Sequence, residues 1–359
     1  MTVNKQQSTG GPIRWGIIGC GDVTEVKSGP AFNRVPGSSL LAVMRRDPDK
    51  LADYARRHGV PKTYASAEQL IQAPEIDAVY IATPPGSHRE YALQVARANK
   101  HCCIEKPMAL NHRECEDILA AFDASAGELF VAYYRRSLPR FLKIKQWLEA
   151  GRIGSVRHVS WRFTRPPSPR DLSAEYDWHT DPAVSGGGHF IDLACHGLDL
   201  FIYLLGDITS AQGVAANQQG LYPAEDAVAA CWMFESGTTG SGFWNFGASA
   251  RSDEAIIDGS TGSIRFSIFG DSPFVLETAA GTEVSTIEHP ENIQYFHIEN
   301  MVRHLNGELE HPSPGRQAHK ATWVMDRILR GYQAERRDNE ARPQQAEMRT
   351  ETSTGQSAR

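Results

Sequence analysis

Several groups of residues in this chain have the types and spacing to do chemistry. The stretch Gly19-Cys20-Gly21-Asp22-Val23-Thr24 follows directly on a short apolar run. Two glycines one residue apart permit a tight turn and close approach of backbone to a pyrophosphate, which the N-terminus of a following helix then attracts. Thr24 stands where the G-x-G-x-x-G pattern has its third glycine, a departure that loosens the packing of helix on strand. Farther on, at the end of the next apolar run, the chain reads Met44-Arg45-Arg46-Asp47. Two guanidiniums there suit the 2′-phosphate of NADP. Asp47 keeps NAD as the alternative, although Asp47-Pro48 also reads as the start of a helix. Glu105-Lys106-Pro107 ends another apolar run, where an ammonium can polarise a bound oxygen and help move its proton. Asp192 and His196 are four apart, so on a helix they face the same way. A carboxylate on one imidazole nitrogen fixes the tautomer and leaves the other nitrogen to shuttle a proton. His189 extends this stripe to a spacing that metal ligands also use, but the pattern is assigned to proton chemistry and no metal is expected.

Such residues need a frame to hold them. Arg14 to Ile18, Leu40 to Met44, Ala78 to Ala82, Cys102 to Glu105 and Leu129 to Tyr133 are short apolar runs stopped by glycine, proline or polar residues. Helical patterns separate them at Asp49 to His58, His88 to Asn99 and Asn111 to Ala124. This alternation predicts a doubly wound parallel sheet, a Rossmann dinucleotide-binding domain over residues 12–133. After Tyr134 the texture changes. A helix over Phe141 to Ala150 precedes β-rich runs at Val156 to Thr164, Ile208 to Val214, Ala227 to Phe234, Thr238 to Phe246, Ala255 to Asp258 and Ser263 to Phe269. They predict an α+β domain over 134–335 with a large, mostly antiparallel sheet, one face of which the apolar helix Phe190 to Leu205 covers. A last helix is expected over Ala318 to Tyr332, with a flexible N-terminus over 1–11 and a disordered tail over 336–359.

Composition narrows the functions this frame could serve. With 41% hydrophobic and 22% charged residues the chain can bury real cores, and 359 residues suit two domains. A net charge of −6 leaves no basic footprint for nucleic acid. The most apolar stretch, Leu193 to Leu205, is short and carries His196 and Asp199, so no membrane partner is expected. The first dozen residues are polar, which places the protein in the cytoplasm. The six cysteines lack C-x-x-C spacing and read as reduced thiols.

Taken together, the G-C-G loop, Ala82-Thr83-Pro84-Pro85-Gly86-Ser87-His88, Glu105-Lys106-Pro107, and Gly186-Gly187-Gly188 followed by Asp192 and His196 resemble the Gfo/Idh/MocA family, the glucose–fructose oxidoreductase and inositol dehydrogenase group. The resemblance covers the first 200 residues in motifs and the rest in texture. It implies an enzyme that moves a hydride between a nicotinamide cofactor and a secondary alcohol or ketone of a sugar, cyclic polyol or related small molecule. It further implies that Gly19, Cys20, Gly21, Asp22, Val23, Arg45, Arg46, Thr83, Pro84, His88, Glu105 and Lys106 line the cofactor. Lys106, Asp192 and His196 are its catalytic set, and Arg135, Trp161 and Trp178 join them around the substrate, with Arg162 and His179 on segments near the pocket. In some relatives a cis peptide precedes the proline after the lysine, and a homodimer or homotetramer follows by analogy. Two other readings stay open: a glycoside hydrolase of the same family using a tightly held NAD, and a non-catalytic regulatory protein that binds NAD(P).

Overall fold

The computed structural model describes residues 11–173 and 175–354, from 337 onward as backbone only. The first half alternates strand and helix: β1 (Ile13–Ile18), α1 (Asp22–Val26), α2 (Gly29–Arg34), β2 (Ser38–Met44), α3 (Pro48–His58), β3 (Lys62–Tyr64), α4 (Ala67–Gln72), β4 (Ala78–Ile81), α5 (His88–Arg97), β5 (His101–Ile104), α6 (His112–Asp123) and β6 (Leu129–Val131). All pairings among these strands are parallel, in the order β3-β2-β1-β4-β5-β6. The winding direction therefore reverses between β1 and β4. An open α/β sheet binds its ligand outside the carboxyl ends of the strands at such a point. β1, β4 and β5 are almost wholly buried because helices cover both faces. The polar edge strand Lys62–Tyr64 has no apolar run to announce it, and the sequence reading passed over it.

In the second half, α7 (Pro139–Glu149), β7 (Val156–Thr164), α8 (Pro182–Ser185) and α9 (His189–Leu205) are followed by β8 (Ile208–Ala216), β9 (Ala227–Phe234), β10 (Thr239–Asn245), β11 (Ser252–Gly259), β12 (Gly262–Phe266), β13 (Phe274–Thr278) and β14 (Gly281–Ser285). They make one sheet in the order β14-β13-β12-β11-β7-β10-β9-β8, antiparallel except for β7 beside β10. α9 covers one face. Its Gly197 has no side chain because the ring of Trp161 lies there: a Cβ would come within 2.3 Å of that ring. Phe201 of α9 packs on Trp161 and Phe190 on Trp244. By length and composition alone the segment Pro182–Leu205 could cross a membrane, but 72% of its most apolar window is buried inside the protein, as in a core helix. The opposite face of the sheet leaves Val214, Met233 and Phe243 exposed.

The chain then returns to the first sheet through α10 (Tyr295–Leu305) and α11 (Gly315–Thr354). Ile298, Met301 and Val302 of α10 join Trp15, Phe32, Tyr80 and Phe130 in one apolar cluster. The helix expected over Ala318 to Tyr332 runs from Gly315 to Thr354, so the segment expected as a tail is helical backbone as far as that residue. Residues 1–10 and 355–359 of the expected termini lie outside the described residues. Five of the six cysteines are buried, Cys231 is exposed, and none is in a disulfide.

Candidate active site

The G-C-G loop leaves β1 at the switch point. Gly19 adopts φ +88°, and a Cβ there would lie 2.7 Å from the Thr83 methyl, so only glycine brings the β1 and β4 turns this close. A Cβ at Gly21, by contrast, would meet only the Gly19 carbonyl oxygen, at an ordinary contact distance of 3.9 Å. Thr24 is buried; its hydroxyl donates to the Gly21 carbonyl at 2.8 Å, and Tyr54 donates to the Thr24 carbonyl at 3.0 Å. Asp22 and Val23 open α1, which breaks before Gly29-Pro30 and resumes as α2. Arg45 is half-buried and donates to the Cys20 carbonyl at 2.9 Å, so one guanidinium lies against the loop itself, with Arg46 exposed beside it. The Asp47 carboxylate accepts from the backbone N–H groups of Asp49 and Lys50, as an N-cap does.

Thr83 and Pro84 end β4, where the Ser87 hydroxyl donates to the Thr83 hydroxyl at 2.8 Å. His88 is fully buried, with one ring nitrogen 2.7 Å from the Thr83 carbonyl and the other 3.0 Å from the Pro107 carbonyl. The neutral ring donates to only one of these carbonyls, but both nitrogens face backbone, so His88 sits between the two strand-end turns and aims neither nitrogen at a ligand. Its expected place as a cofactor contact is corrected accordingly. The Lys106-Pro107 peptide is cis. Glu105 is buried: its carboxylate accepts from the Tyr80 hydroxyl, from Gln294 at 2.7 Å and from the Lys106 N–H at 3.2 Å.

Lys106 reaches across to α9, where its ammonium donates to the Asp192 carboxylate at 2.5 Å and to the Asp192 carbonyl at 3.2 Å. Burial works against the charge on Lys106, but the Asp192 carboxylate outweighs it and raises the lysine's pKa. Burial likewise works against the Asp192 charge, and Lys106 outweighs it in turn, holding Asp192 below the usual carboxylate range. Both groups are therefore charged at neutral pH. Asp192 was expected to orient His196; it holds Lys106 instead. His196 is buried with its Nδ1 unpartnered among the described residues, boxed by the rings of Tyr133, Tyr134 and Phe269. Burial, then the charges of Arg135, Lys106 and Lys27, push its pKa well below the ordinary value, so the ring is neutral.

The other members of the expected stripe and pocket part company. His189 turns to Asp171, 2.7 Å away, and not to Asp192 or His196. Among the described residues no group of three His, Cys, Asp or Glu side chains is placed to hold a metal ion. Trp161 is 1% exposed, lies inside an aromatic cluster and donates its indole N–H to Asp253 at 3.0 Å; it is core and cannot touch substrate. Arg162 points to the opposite, exposed face, over Phe243. Arg135 is buried between Tyr134 and Phe269 and donates to the Ile268 carbonyl at 2.9 Å, with its Nη1 unpartnered among the described residues, and its charge bears on His196. Trp178 is half-buried and stacks on His179 at 3.7 Å, and the His179 Nδ1 sits 2.6 Å from Asp177. The short 3-10 turn at Trp178–Thr180 packs on α8 and α9, and α8 packs on the turn after β4. Tyr80 and Gln294 escaped the sequence reading. Tyr80 left a signal, a hydroxyl inside the apolar run Ala78–Ile81; Gln294 left none.

A family profile described as an oxidoreductase family with an NAD-binding Rossmann fold matches residues 13–133, and one for the GFO/IDH/MocA C-terminal domain matches 141–265. The chain is similar to "Oxidoreductase P35" of Formosa agariphila, 39% identical over 315 residues, covering 88% of this chain and 97% of that one. It is also similar to the 1,5-anhydro-D-fructose reductase of Ensifer adhaerens, 28% identical over 233 residues, with 62% of this chain and 66% of the relative aligned. The solved structure of the aldose-aldose oxidoreductase from Caulobacter crescentus, complexed with glycerol, shares the fold at a TM-score of 0.80 and 22% identity, over 90% of this chain and 98% of that one.

Proposed function

The chain belongs to the GFO/IDH/MocA oxidoreductase family, and from that premise we propose that it is an NADP-dependent dehydrogenase or reductase acting on a secondary alcohol or ketone of a sugar, cyclic polyol or related small molecule. The observation that carries this reading is the Lys106–Asp192 pair, which joins the end of a parallel strand to the helix on the second sheet. The loop fits a dinucleotide: Gly19 lets the β1 and β4 turns meet, and Gly21 leaves its own side uncrowded. Gly19, Cys20, Gly21, Asp22 and Val23 would hold the pyrophosphate, Arg45 and Arg46 a 2′-phosphate, and Thr83, Pro84 and Lys106 the nicotinamide end. Asp47 is engaged as a helix cap, which favours NADP over NAD.

When bound, the nicotinamide supplies the hydride acceptor or donor. The chain supplies orientation and charge. Lys106 donates a hydrogen bond to the reacting oxygen and stabilises the negative charge that grows there as the carbonyl and alcohol interconvert. Asp192 keeps the ammonium charged and aimed. His196, held neutral, offers a ring nitrogen to the hydroxyl proton, and Trp178 offers an aromatic face to a sugar ring. A second copy of the chain covering the exposed face at Val214, Met233 and Phe243 would make a homodimer or the half of a homotetramer. The unpaired thiols suit the cytoplasm.

The test is direct. NADP and NAD are titrated against the protein, and reduced nicotinamide is followed by absorbance with myo-inositol, D-glucose and D-xylose as alcohols and 1,5-anhydro-D-fructose as the ketone. Tighter NADP binding with turnover of at least one compound is expected. Failure to bind either dinucleotide would overturn the reading.

A further inference from the structure

The carboxylate next to Lys106 is pinned from three sides. One Glu105 oxygen accepts from the Tyr80 hydroxyl and from Gln294 Nε2 at 2.7 Å, and the other accepts from the Lys106 backbone N–H at 3.2 Å. Tyr80, Glu105 and Gln294 are all buried, so these bonds replace water entirely. The parallel sheet fixes Tyr80 and Glu105 relative to each other, since β4 and β5 are neighbours. Gln294 comes from much farther along the chain, at a separation of 189 residues. The same short stretch grips the end of α1. The Gln294 N–H donates to the Lys27 carbonyl at 3.2 Å, and Asn292 Nδ2 donates to the Val26 carbonyl at 2.7 Å. Arg34 of α2 in turn donates to the Asn292 side-chain carbonyl at 2.8 Å. Residues 292–294 thus touch both the exit of the glycine loop and the strand end that carries the lysine.

We propose that Gln294 is a positioning residue for Lys106: its amide holds the Glu105 carboxylate, and Glu105 holds the backbone from which the lysine reaches Asp192. The inference rests on Lys106 being the residue that meets the substrate oxygen. The chemistry of the donors matters. Tyr80 and Gln294 are neutral donors, so they satisfy the buried carboxylate without cancelling its charge, which stays available to favour the Lys106 ammonium. A lysine or arginine in place of Gln294 would make a closed ion pair and withdraw that support. The titratable groups facing Glu105 are Tyr80 from β4, Cys103 from β5, His88 from α5 and Lys106 itself. Burial raises Tyr80 and Cys103 and lowers His88, so these three stay neutral near pH 7.

Two variants separate positioning from simple bracing. Gln294→Leu removes the donor, and kcat should fall on the order of tenfold or more at nearly unchanged KM, the size expected when a reacting group is slightly misplaced. Gln294→Glu puts a second carboxyl within hydrogen-bond distance of Glu105. While it keeps its proton it donates as the amide did; once that proton leaves, two carboxylates face each other. Its kcat relative to wild type should therefore be close to one at low pH and fall as pH rises between about 5 and 9, with like-charge repulsion setting a midpoint above the usual carboxylate range. A second readout does not depend on turnover: the ¹³C resonance of reductively methylated Lys106, assigned by its loss in Lys106→Met, should shift in Gln294→Leu and titrate in Gln294→Glu. The proposal is overturned if the variants differ from wild type only in thermal midpoint, with kcat ratio and Lys106 resonance unmoved. If wild type turns over none of the compounds above, the functional reading fails on its own, and the Lys106 resonance still decides whether Gln294 positions it.

Discussion

Helix α9 carries two aspartates, Asp192 and Asp199, and each holds a cation from another part of the chain. The pairs are built differently. Arg136 grips the Asp199 carboxylate with two bonds, at 2.8 and 2.6 Å, and donates to the Asp199 carbonyl at 3.5 Å and the Pro312 carbonyl at 3.0 Å, with side chains 3% and 1% exposed. Lys106 meets one Asp192 carboxylate oxygen and the Asp192 carbonyl and stays within reach of solvent, with side chains 16% and 27% exposed. A planar fork fixes geometry and leaves nothing over, whereas an ammonium on a flexible stem can turn to another oxygen. Their electrostatics diverge too. Burial raises Asp199 above the ordinary carboxylate value despite Arg136, while Lys106 more than offsets burial at Asp192. One helix thus holds a closed pair and an open one. The cation gripped most completely is the one least able to act on a ligand.

The largest effect that could break this contrast is on stability. Arg136→Met leaves the Asp199 carboxylate buried without its partner, at an expected cost of about 3–5 kcal/mol in denaturant unfolding. A loss below about 1 kcal/mol would mean that the closed pair is not a lock. Lys106→Met should do the reverse. Turnover falls at least ~10²-fold, about 2.7 kcal/mol of transition-state stabilisation, while the unfolding midpoint moves little. Steady-state kinetics beside a melting curve reads both, and a near-normal kcat would remove the lysine from catalysis. Arg45, held by a single bond to the Cys20 carbonyl, extends the rule to the cofactor end. Arg45→Asp should weaken NADP by about 10-fold or more, with NAD nearing parity, because a charge-assisted contact worth ~1.5–3 kcal/mol is lost. Wild-type preference for NAD by calorimetric titration would sink that argument. The smallest effect is an absence. An imidazole paired with Asp192 would charge as pH falls through ~6.5 or above. The pKa of His196 lies well below that value, so its ring should stay neutral as pH falls through the range where an ordinary imidazole charges, and its NMR ring-proton shifts should not move there. Titration near 6.5 would return His196 to a carboxylate partner.

What could be read in advance follows from how local each feature is. The G-C-G turn, the strand-end Lys106 and the stripe on α9 were legible because turn geometry, sheet topology and helical repeat constrain them within a few residues. Partner choice was not. A spacing of four says that Asp192 and His196 share a face, but not that Lys106, 86 residues away, would take the carboxylate. Nor could it show that Asp171 would take His189. Trp161 was a misreading the sequence could have prevented, since Val159, Trp161 and Phe163 alternate along β7 toward one buried face. The short strands β13 and β14 carry weak periodic signals, whereas α10 was legible and passed over, since Tyr295, Ile298, Met301, Val302 and Leu305 recur at helical spacing. Gln294 is the extreme case, a polar residue in a loop whose meaning comes wholly from tertiary structure.

The grip of residues 292–294 on the end of α1 also bears on how the protein is made. The sheet of the first half is finished by residues that leave the ribosome long after its strands do. Asn292 bonds Val26 across 266 positions, and the Ser313 hydroxyl bonds the Val131 carbonyl. At about 5–20 residues per second, the nascent dinucleotide fold waits roughly ten to forty seconds for those braces. During that interval the turn around Ser28, which the finished chain holds from behind, has only its own short helices to keep it in shape. The seat for the cofactor is begun when the first sheet is made and completed only after the second sheet has followed it.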